Sequence, residues 1–507
     1  MSRIVRDPSD AAKKEYDLII IGGGIYGAML LFEASRRELR SLLLEKGDFG
    51  EHTSFNSLRI IHGGLRYFQT LDFQRFRESV GEQRWFLQTF PDLVKPLPCL
   101  MPLYGDGLRR LPIFRVALWA NHLLSDLSYR RIHSAPRLPH GRVIDSDKTK
   151  EACPFIDTKG LKGGAVWYDA FVPDSQRLLI EVLRWACTLG ATALNYIEAN
   201  RLVKSKQGVI GVMAVDKESS RAHEYKAPVV VNAAGPWCRD VAARFDRDEP
   251  KLFKPSLAWN VLLRKEAISD HALAVTTKRS GGRTYFLLPW KGKLLVGTGH
   301  APWLRQAEVP MPSDEQLEEF LHDLNYTIPS LVISSHDIVH VFAGLLPATE
   351  VGSVSLATRP FILDHSIHGG PHGLYSVSGV KFTTARAVAE KTLNSVFPER
   401  TSSSDYGLQN STPKPDRDNG RGIFPFDWYP PVDDSNWKET LKRVVEEEAV
   451  HHLDDLILRR TNLWNNPARA LEIAPTICEL FDWDITLRYE EIKRLKKGLI
   501  QNTRHQI

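Results

Sequence analysis

The segment Tyr16–Glu45, YDLIIIGGGIYGAMLLFEASRRELRSLLLE, constrains the fold more than any other part of the chain. Leu18 to Ile21 form an apolar run that stops at three glycines, after which apolar residues recur at helical spacing until Leu42 to Leu44 begin a second run. The pattern predicts a strand, a turn, a helix and a second strand. Gly22, Gly24 and Gly27 occupy the three glycine positions of a dinucleotide-binding turn. The first permits the tight turn, the second lets a pyrophosphate approach the backbone, and the third lets helix and strand pack closely. Free amides at the helix start, with the helix dipole, favour phosphate charge there. Glu45, closing the second strand, can accept hydrogen bonds from the ribose hydroxyls of an adenosine and would repel a 2′-phosphate, which argues against NADP. The motif alone does not separate NAD from FAD.

With 507 residues the chain exceeds what one core usually holds, and its length and composition allow one large protein or about two to four packed domains. No apolar run is long enough to span a bilayer, and the formal charge of +5 is small for this size. No nucleic-acid motif appears, so nucleic acid is not expected as a partner. The five cysteines are scattered without a CxxC pair, which suggests a reducing compartment and no structural zinc; no metal is expected. The polar, acid-containing segment MSRIVRDPSDAAKKE lacks the apolar core of a secretion signal, and a cytoplasmic location is the default expectation.

After Glu45 comes a glycine- and hydroxyl-rich loop. Thr53, Ser54, Asn56 and Ser57 offer short donors, Arg59 and Arg66 fixed positive charge, and Gly63 and Gly64 a close backbone approach to something flat. This loop, HTSFNSLRIIHGGLRYFQ, resembles the signature of the FAD-dependent glycerol-3-phosphate dehydrogenases, flavoproteins of the glycine-oxidase and D-amino-acid-oxidase type. The resemblance extends in order through VVVNAAGPWCRDVA, FLLPWKGKLLVGTGH, HDIVHVFAGLLP, LYSVSGVKFTTARAVAEK and EEEAVHHLDDLILRRTNLW. It implies an α/β protein: a Rossmann-like FAD-binding domain, a mixed-sheet substrate domain and a C-terminal helical domain. The expected division assigns 1–95, 160–250 and 340–398 to FAD binding and 96–159 with 251–339 to the substrate cap. Residues 399–436 form a linker rich in Ser, Pro, Asp, Asn and Gly, and 437–507 the helical domain, with Pro467 and Pro475 as breakers.

The resemblance implies FAD contacts from Gly22, Gly24, Gly27, Glu45, Thr53, Ser54, Arg59, Gly63, Gly64, Ala234, Gly235, Gly379, Lys381 and Thr383. It places Arg66 and Lys381 where the substrate phosphate is held or the flavin is faced, with Tyr67 lining the same pocket. Read without the family, Gly379 ends a strand, Thr383 or Thr384 can cap the next helix, and Lys381 sits beside that helix start, with a simple solvated lysine as the lesser alternative. Asp174 or Ser175 can cap the helix that follows Pro173.

Three departures fall near the expected substrate pocket. Leu346 stands in the position of a phosphate-binding arginine, Asn260 in that of a histidine, and Thr298, Gly299 and His300 replace Thr-Thr-Asp. The flavin motifs are kept, so the alcohol oxidised is the part open to change. His300 and His62 are the candidate bases, since histidine takes a proton near neutral pH; His62 is equally readable as a structural contact of the loop.

The expected reaction is hydride transfer from the CH–OH carbon of glycerol 3-phosphate, or of a related phosphorylated or acidic polyol, to FAD. Two alternatives stand beside it: oxidation of an amine or amino acid on the same scaffold, and a flavin-binding assembly protein without turnover. The electron acceptor is left open among quinone, oxygen and another protein, and a homodimer is allowed. The stretch LRRLPIFRVALWANHLLSDLSYRR has helical spacing bracketed by arginines. It reads either as a cap helix packed on the core or as a helix lying at an anionic membrane surface.

Overall fold

A computed structural model describes residues 3–65, 67, 72–105, 110–129, 138–277, 282–304, 309–400 and 437–503. Arg66 and residues 401–436 of the expected 399–436 linker lie outside the described residues. The leading segment folds as its pattern predicts: strand Leu18–Ile21, helix Ile25–Ser35 and strand Ser41–Leu44. These strands lie in a six-stranded sheet ordered Phe361–Asp364, Leu374–Ser378, Val230–Asn232, Leu18–Ile21, Ser41–Leu44, Thr192–Leu194, parallel except for the first pair.

Both faces of this sheet are covered, which is why its central strands, LIII at Leu18–Ile21 and SLLL at Ser41–Leu44, are almost wholly apolar. Leu18, Ile20 and Leu43 point to a layer built from helices Ile25–Ser35, Ser175–Thr188 and Ala385–Val396. Ile19, Ile21, Leu42 and Leu44 point the other way, onto an antiparallel meander of strands Ile197–Ser205, Gly208–Asp216 and Ala222–Lys226. The Ser175–Thr188 helix is capped by Asp174, whose carboxylate accepts from the Gln176 and Arg177 amides.

A second, nine-stranded mixed sheet holds the strands expected between Pro255 and Val309. It also takes in Ile60–Ile61, Gly163–Phe171 and Ile338–Pro347, which differs from the expected boundaries at 160 and 340. Buried apolar runs look alike in either sheet, and only their pairing decides which they join. Gly163–Phe171 is claimed by its long antiparallel register with Lys95–Leu103.

The C-terminal region is helical, as expected, and shares a core with the large sheet. Trp464 stacks on Trp290 at 5.6 Å and packs against Phe55, His340 and Phe342. Pro467 starts helix Pro467–Cys478, but Pro475 lies within that helix instead of ending it. Helix Leu111–Tyr129 buries Phe114 and Leu118 and leaves Ile113, Val116 and Trp119 outside, the last two 66% and 64% exposed. Arg109, Arg130 and Arg131 lie outside the described residues. Among the described residues no helix is long and apolar enough to cross a membrane.

Candidate active site and cofactor cleft

A cavity of about 550 Å³ opens between the two sheets. One wall is made by the turns that leave the carboxyl ends of parallel strands: Gly22 and Gly24, Ala233 to Trp237, and Gly379 to Thr383. Ligands of open α/β sheets bind in that place. The other wall comes from the large sheet through Ala258, Asn260, Thr298 and Gly344 to Pro347. The loop after Glu45 joins the walls. Thr53 Oγ1 donates to the Leu345 carbonyl at 3.3 Å, Asn56 Nδ2 to that of Ala343 at 2.7 Å, and Asn260 Nδ2 to that of Asn56 at 3.1 Å.

The turn is built as its glycines require. Gly22 has φ +108°, and a Cβ on Gly27 would stand 1.8 Å from the Gly22 carbonyl oxygen, so only glycine lets this helix sit against its strand. Ser54 Oγ accepts from the Ile25 amide at the helix start. The Glu45 carboxylate is gripped by the amides of Gly23 at 2.5 Å and Gly47 at 2.8 Å. Burial raises its pKa, and those amides oppose the rise.

Of the residues singled out in the sequence, Gly22, Gly24, Glu45, Thr53, Ser54, His62, Ala234, Gly235, Asn260, Leu346, Gly379, Lys381 and Thr383 line this one cavity. Gly27 acts behind it through packing. Arg59 does not reach it: its guanidinium lies 5.0 Å from the rings of both Trp290 and Phe342 and donates to the Pro173 carbonyl, and burial pulls its pKa down to about 10. Gly63 lies off the wall, its amide donating to Asp169 at 2.7 Å, and Gly64 packs near Tyr67 and Ser79. The Tyr67 ring has the charged ends of both Lys381, at 4.4 Å, and Arg75, at 4.9 Å, against it and so supports the lysine from outside the wall. His300 shares a strand with Thr298 and lies opposite Ala258 in the register, but it is not among the residues that line the wall; Thr298 lines it and donates to Asn260 Oδ1 at 3.0 Å. Neither Thr383 nor Thr384 caps the helix at Ala385 with its side chain, because a short 3-10 turn, Phe382–Thr384, intervenes.

Two important residues were not legible in the sequence. Asp169 is 3% exposed and its Oδ2 lies 3.0 Å from His62 Nδ1, while it also accepts from Gly63 and from Trp167 Nε1 at 3.3 Å. It stands far from His62 along the chain, and only the pairing of strands Ile60–Ile61 and Gly163–Phe171 joins them. Tyr26 occupies a variable position of the glycine turn. Its hydroxyl donates to the Lys381 carbonyl at 2.7 Å and accepts from the Lys381 amide at 2.9 Å, and burial raises its pKa. Its ring fills the space beside Gly379, where a Cβ would stand 1.7 Å from the ring.

Residues 17–394 match the family described as FAD dependent oxidoreductase. This chain is a member of that family. Among related proteins, the glycerol-3-phosphate dehydrogenase of Synechocystis sp. is 32% identical over 75% of this chain and 70% of its own length. The mitochondrial glycerol-3-phosphate dehydrogenase of Saccharomyces cerevisiae is 29% identical over 77% of this chain, and the match spans 65% of that protein's length. Among solved structures, the glycerol-3-phosphate dehydrogenase of Bacillus halodurans, complexed with FAD, superposes with a TM-score of 0.72 at 20% identity, covering 99% of this chain and 98% of that one. The cofactor of this flavoprotein is FAD. The cleft fits it: three close-approach glycines and a helix start suit the pyrophosphate, and a half-buried carboxylate at the end of the second strand suits the ribose.

Proposed function

We propose that this flavoprotein oxidises the CH–OH carbon of glycerol 3-phosphate or of a related phosphorylated or acidic polyol. The observation that carries this reading is the His62–Asp169 pair facing the cofactor cleft. Asp169, itself held by Gly63 and Trp167, accepts from Nδ1 of His62 and so fixes the ring tautomer. Nε2 is left to take the proton of the substrate hydroxyl, and the His62 side chain is 46% exposed toward that space. Bound FAD supplies the hydride acceptor. Lys381, held by Tyr26 through its backbone and by Tyr67 against its side chain, brings positive charge to the same cavity and favours an anionic substrate. The names of the relatives support glycerol 3-phosphate as the first compound to try.

Leu346 sets a limit on that substrate. An alkyl side chain donates no hydrogen bond, and a missing charge-assisted contact weakens phosphate binding by about 1.5 to 3 kcal/mol. The apolar face of Ile113, Val116 and Trp119 supports a peripheral membrane contact for helix Leu111–Tyr129. Anaerobic mixing of FAD-loaded protein with glycerol 3-phosphate tests the main reading. Bleaching of the flavin band is expected; bleaching by amines or amino acids alone, or none with a broad alcohol and amine panel, overturns it.

A further inference from the structure

The C-terminal helical region carries a deeply buried charge cluster that the reaction does not use. Arg460 donates to both carboxylate oxygens of Asp48, at 2.8 and 2.9 Å, and Arg459 Nε donates to Asp48 Oδ2 at 2.6 Å. Asp48 and the Arg460 side chain are fully buried, and the Arg459 side chain is nearly so. The two neighbouring arginines reach one carboxylate from a single wide π-helical turn, Asp455–Arg460. Asp455, on that turn, accepts from Arg459 Nη2 and from the Tyr196 hydroxyl, each at 2.5 Å. Asn195 Nδ2 bridges Asp48 Oδ1 at 3.1 Å and the Ala449 carbonyl at 2.8 Å.

What this cluster holds is the turn at the adenosine end of the cleft. Glu45, Lys46, Asp48 and Gly50 line the cavity, and Gly47 donates its amide to the Glu45 carboxylate. The same turn is tied by Tyr196 N to the Gly47 carbonyl at 3.0 Å and by Ile197 N to the Glu45 carbonyl at 2.7 Å. Gln176 Nε2 donates to the Phe49 carbonyl, so the turn is held by helix Ser175–Thr188 as well. That helix is itself joined to the C-terminal region, through Arg177 and Glu448 at 2.8 and 2.9 Å. Arg459 and Arg460 do not line the cleft.

We propose that residues 449–460 form a cofactor-retention element, in which Arg459 and Arg460 act as positioning residues that hold Asp48 from behind and fix the Glu45–Asp48 turn around the adenosine of FAD. The Coulombic pull of both arginines lowers the Asp48 pKa against the cost of its burial, so the carboxylate stays charged and the grip persists across the working pH range. Removing one partner leaves a buried charge uncompensated, and the turn that presents Gly47 to Glu45 is then free to relax. Coupling of this kind is reciprocal: what the element contributes to FAD binding, bound FAD returns to the element.

The inference rests on the FAD assignment and not on the substrate. In wild-type protein, FAD is expected to slow amide exchange in 449–460 more than in the helix 467–478 of the same region. Asp48→Asn is expected to raise the FAD dissociation constant at least tenfold, and Arg460→Lys, which keeps the charge but loses the fork, to raise it less. Lys438→Ala, which breaks an exposed pair with Glu479, is expected to leave it unchanged. A purely stabilising element would lower the unfolding temperature of Asp48→Asn with the dissociation constant intact, and that result overturns the proposal. So does equal slowing in 449–460 and 467–478, which decides the matter even where Asp48→Asn does not fold. Failure of the FAD assignment itself would look different: wild-type protein that stays colourless after reconstitution.

Discussion

His62 and Leu346 show how far single side chains set the chemistry. A histidine whose Nδ1 is held by a buried carboxylate has one nitrogen left for substrate, so His62→Gln is expected to lower kcat by about 10²-fold or more, in the range of a lost general base. Asp169→Asn keeps one acceptor oxygen of the two; with that oxygen held by the Gly63 amide, its NH2 donates to Nδ1 and fixes the wrong tautomer, so stopped-flow flavin reduction should slow by about tenfold or more with FAD content unchanged. Leu346 acts by what it lacks. Leu346→Arg should lower KM for a phosphorylated substrate by about tenfold to a hundredfold and leave KM for an unphosphorylated polyol unmoved, measured by steady-state kinetics on both.

At the scale of elements, two helices illustrate when a glycine is needed. Gly27 has the Gly22 carbonyl oxygen 1.8 Å from where its Cβ would be, and neither backbone can yield without opening the strand-turn-helix unit. Gly27→Ala is therefore expected to yield protein without flavin, read as the ratio of absorbance at 450 nm to 280 nm. Gly81 lies inside helix Phe73–Thr89 with nothing within 4 Å of its Cβ position. Gly81→Ala should raise stability by about 0.5 to 1 kcal/mol in denaturant titration, because alanine loses less backbone entropy on folding. The sequence marks both residues as glycine, but the unit around Gly27 could be read from its pattern whereas the open space beside Gly81 could not.

The whole molecule joins its C-terminal helices to the meander through His452, which lies between Glu491 at 2.8 Å and Glu218 at 3.2 Å. Burial pulls its pKa down, yet the hydrogen bonds to Glu218 and Glu491 and the charge of Asp455 outweigh burial and the opposing Arg494, and raise it to about 9. A folded-state pKa above the ordinary 6.5 means that this contribution is fully present below pH 6.5 and is lost as pH rises through 9. Wild-type unfolding temperature should fall across that window, and His452→Gln should flatten the slope.

Much of this architecture is written locally. The strand-glycine-helix-strand unit, the acid at Glu45, the Asp174 cap and the helical character of 437–503 all follow from neighbours within a few turns, where periodicity and backbone sterics operate. The chain's membership among FAD oxidoreductases was likewise legible, because the flavin motifs are short contiguous stretches. Tertiary structure alone decided which sheet claims Gly163–Phe171, that Asp169 faces His62, that Arg59 serves an aromatic core instead of the cleft, that Thr298 and not His300 lines the cleft, and that Arg459 and Arg460 close on Asp48. Each is a contact between segments distant along the chain, and such pairings depend on shape, register and the cost of burying charge, which no local pattern encodes.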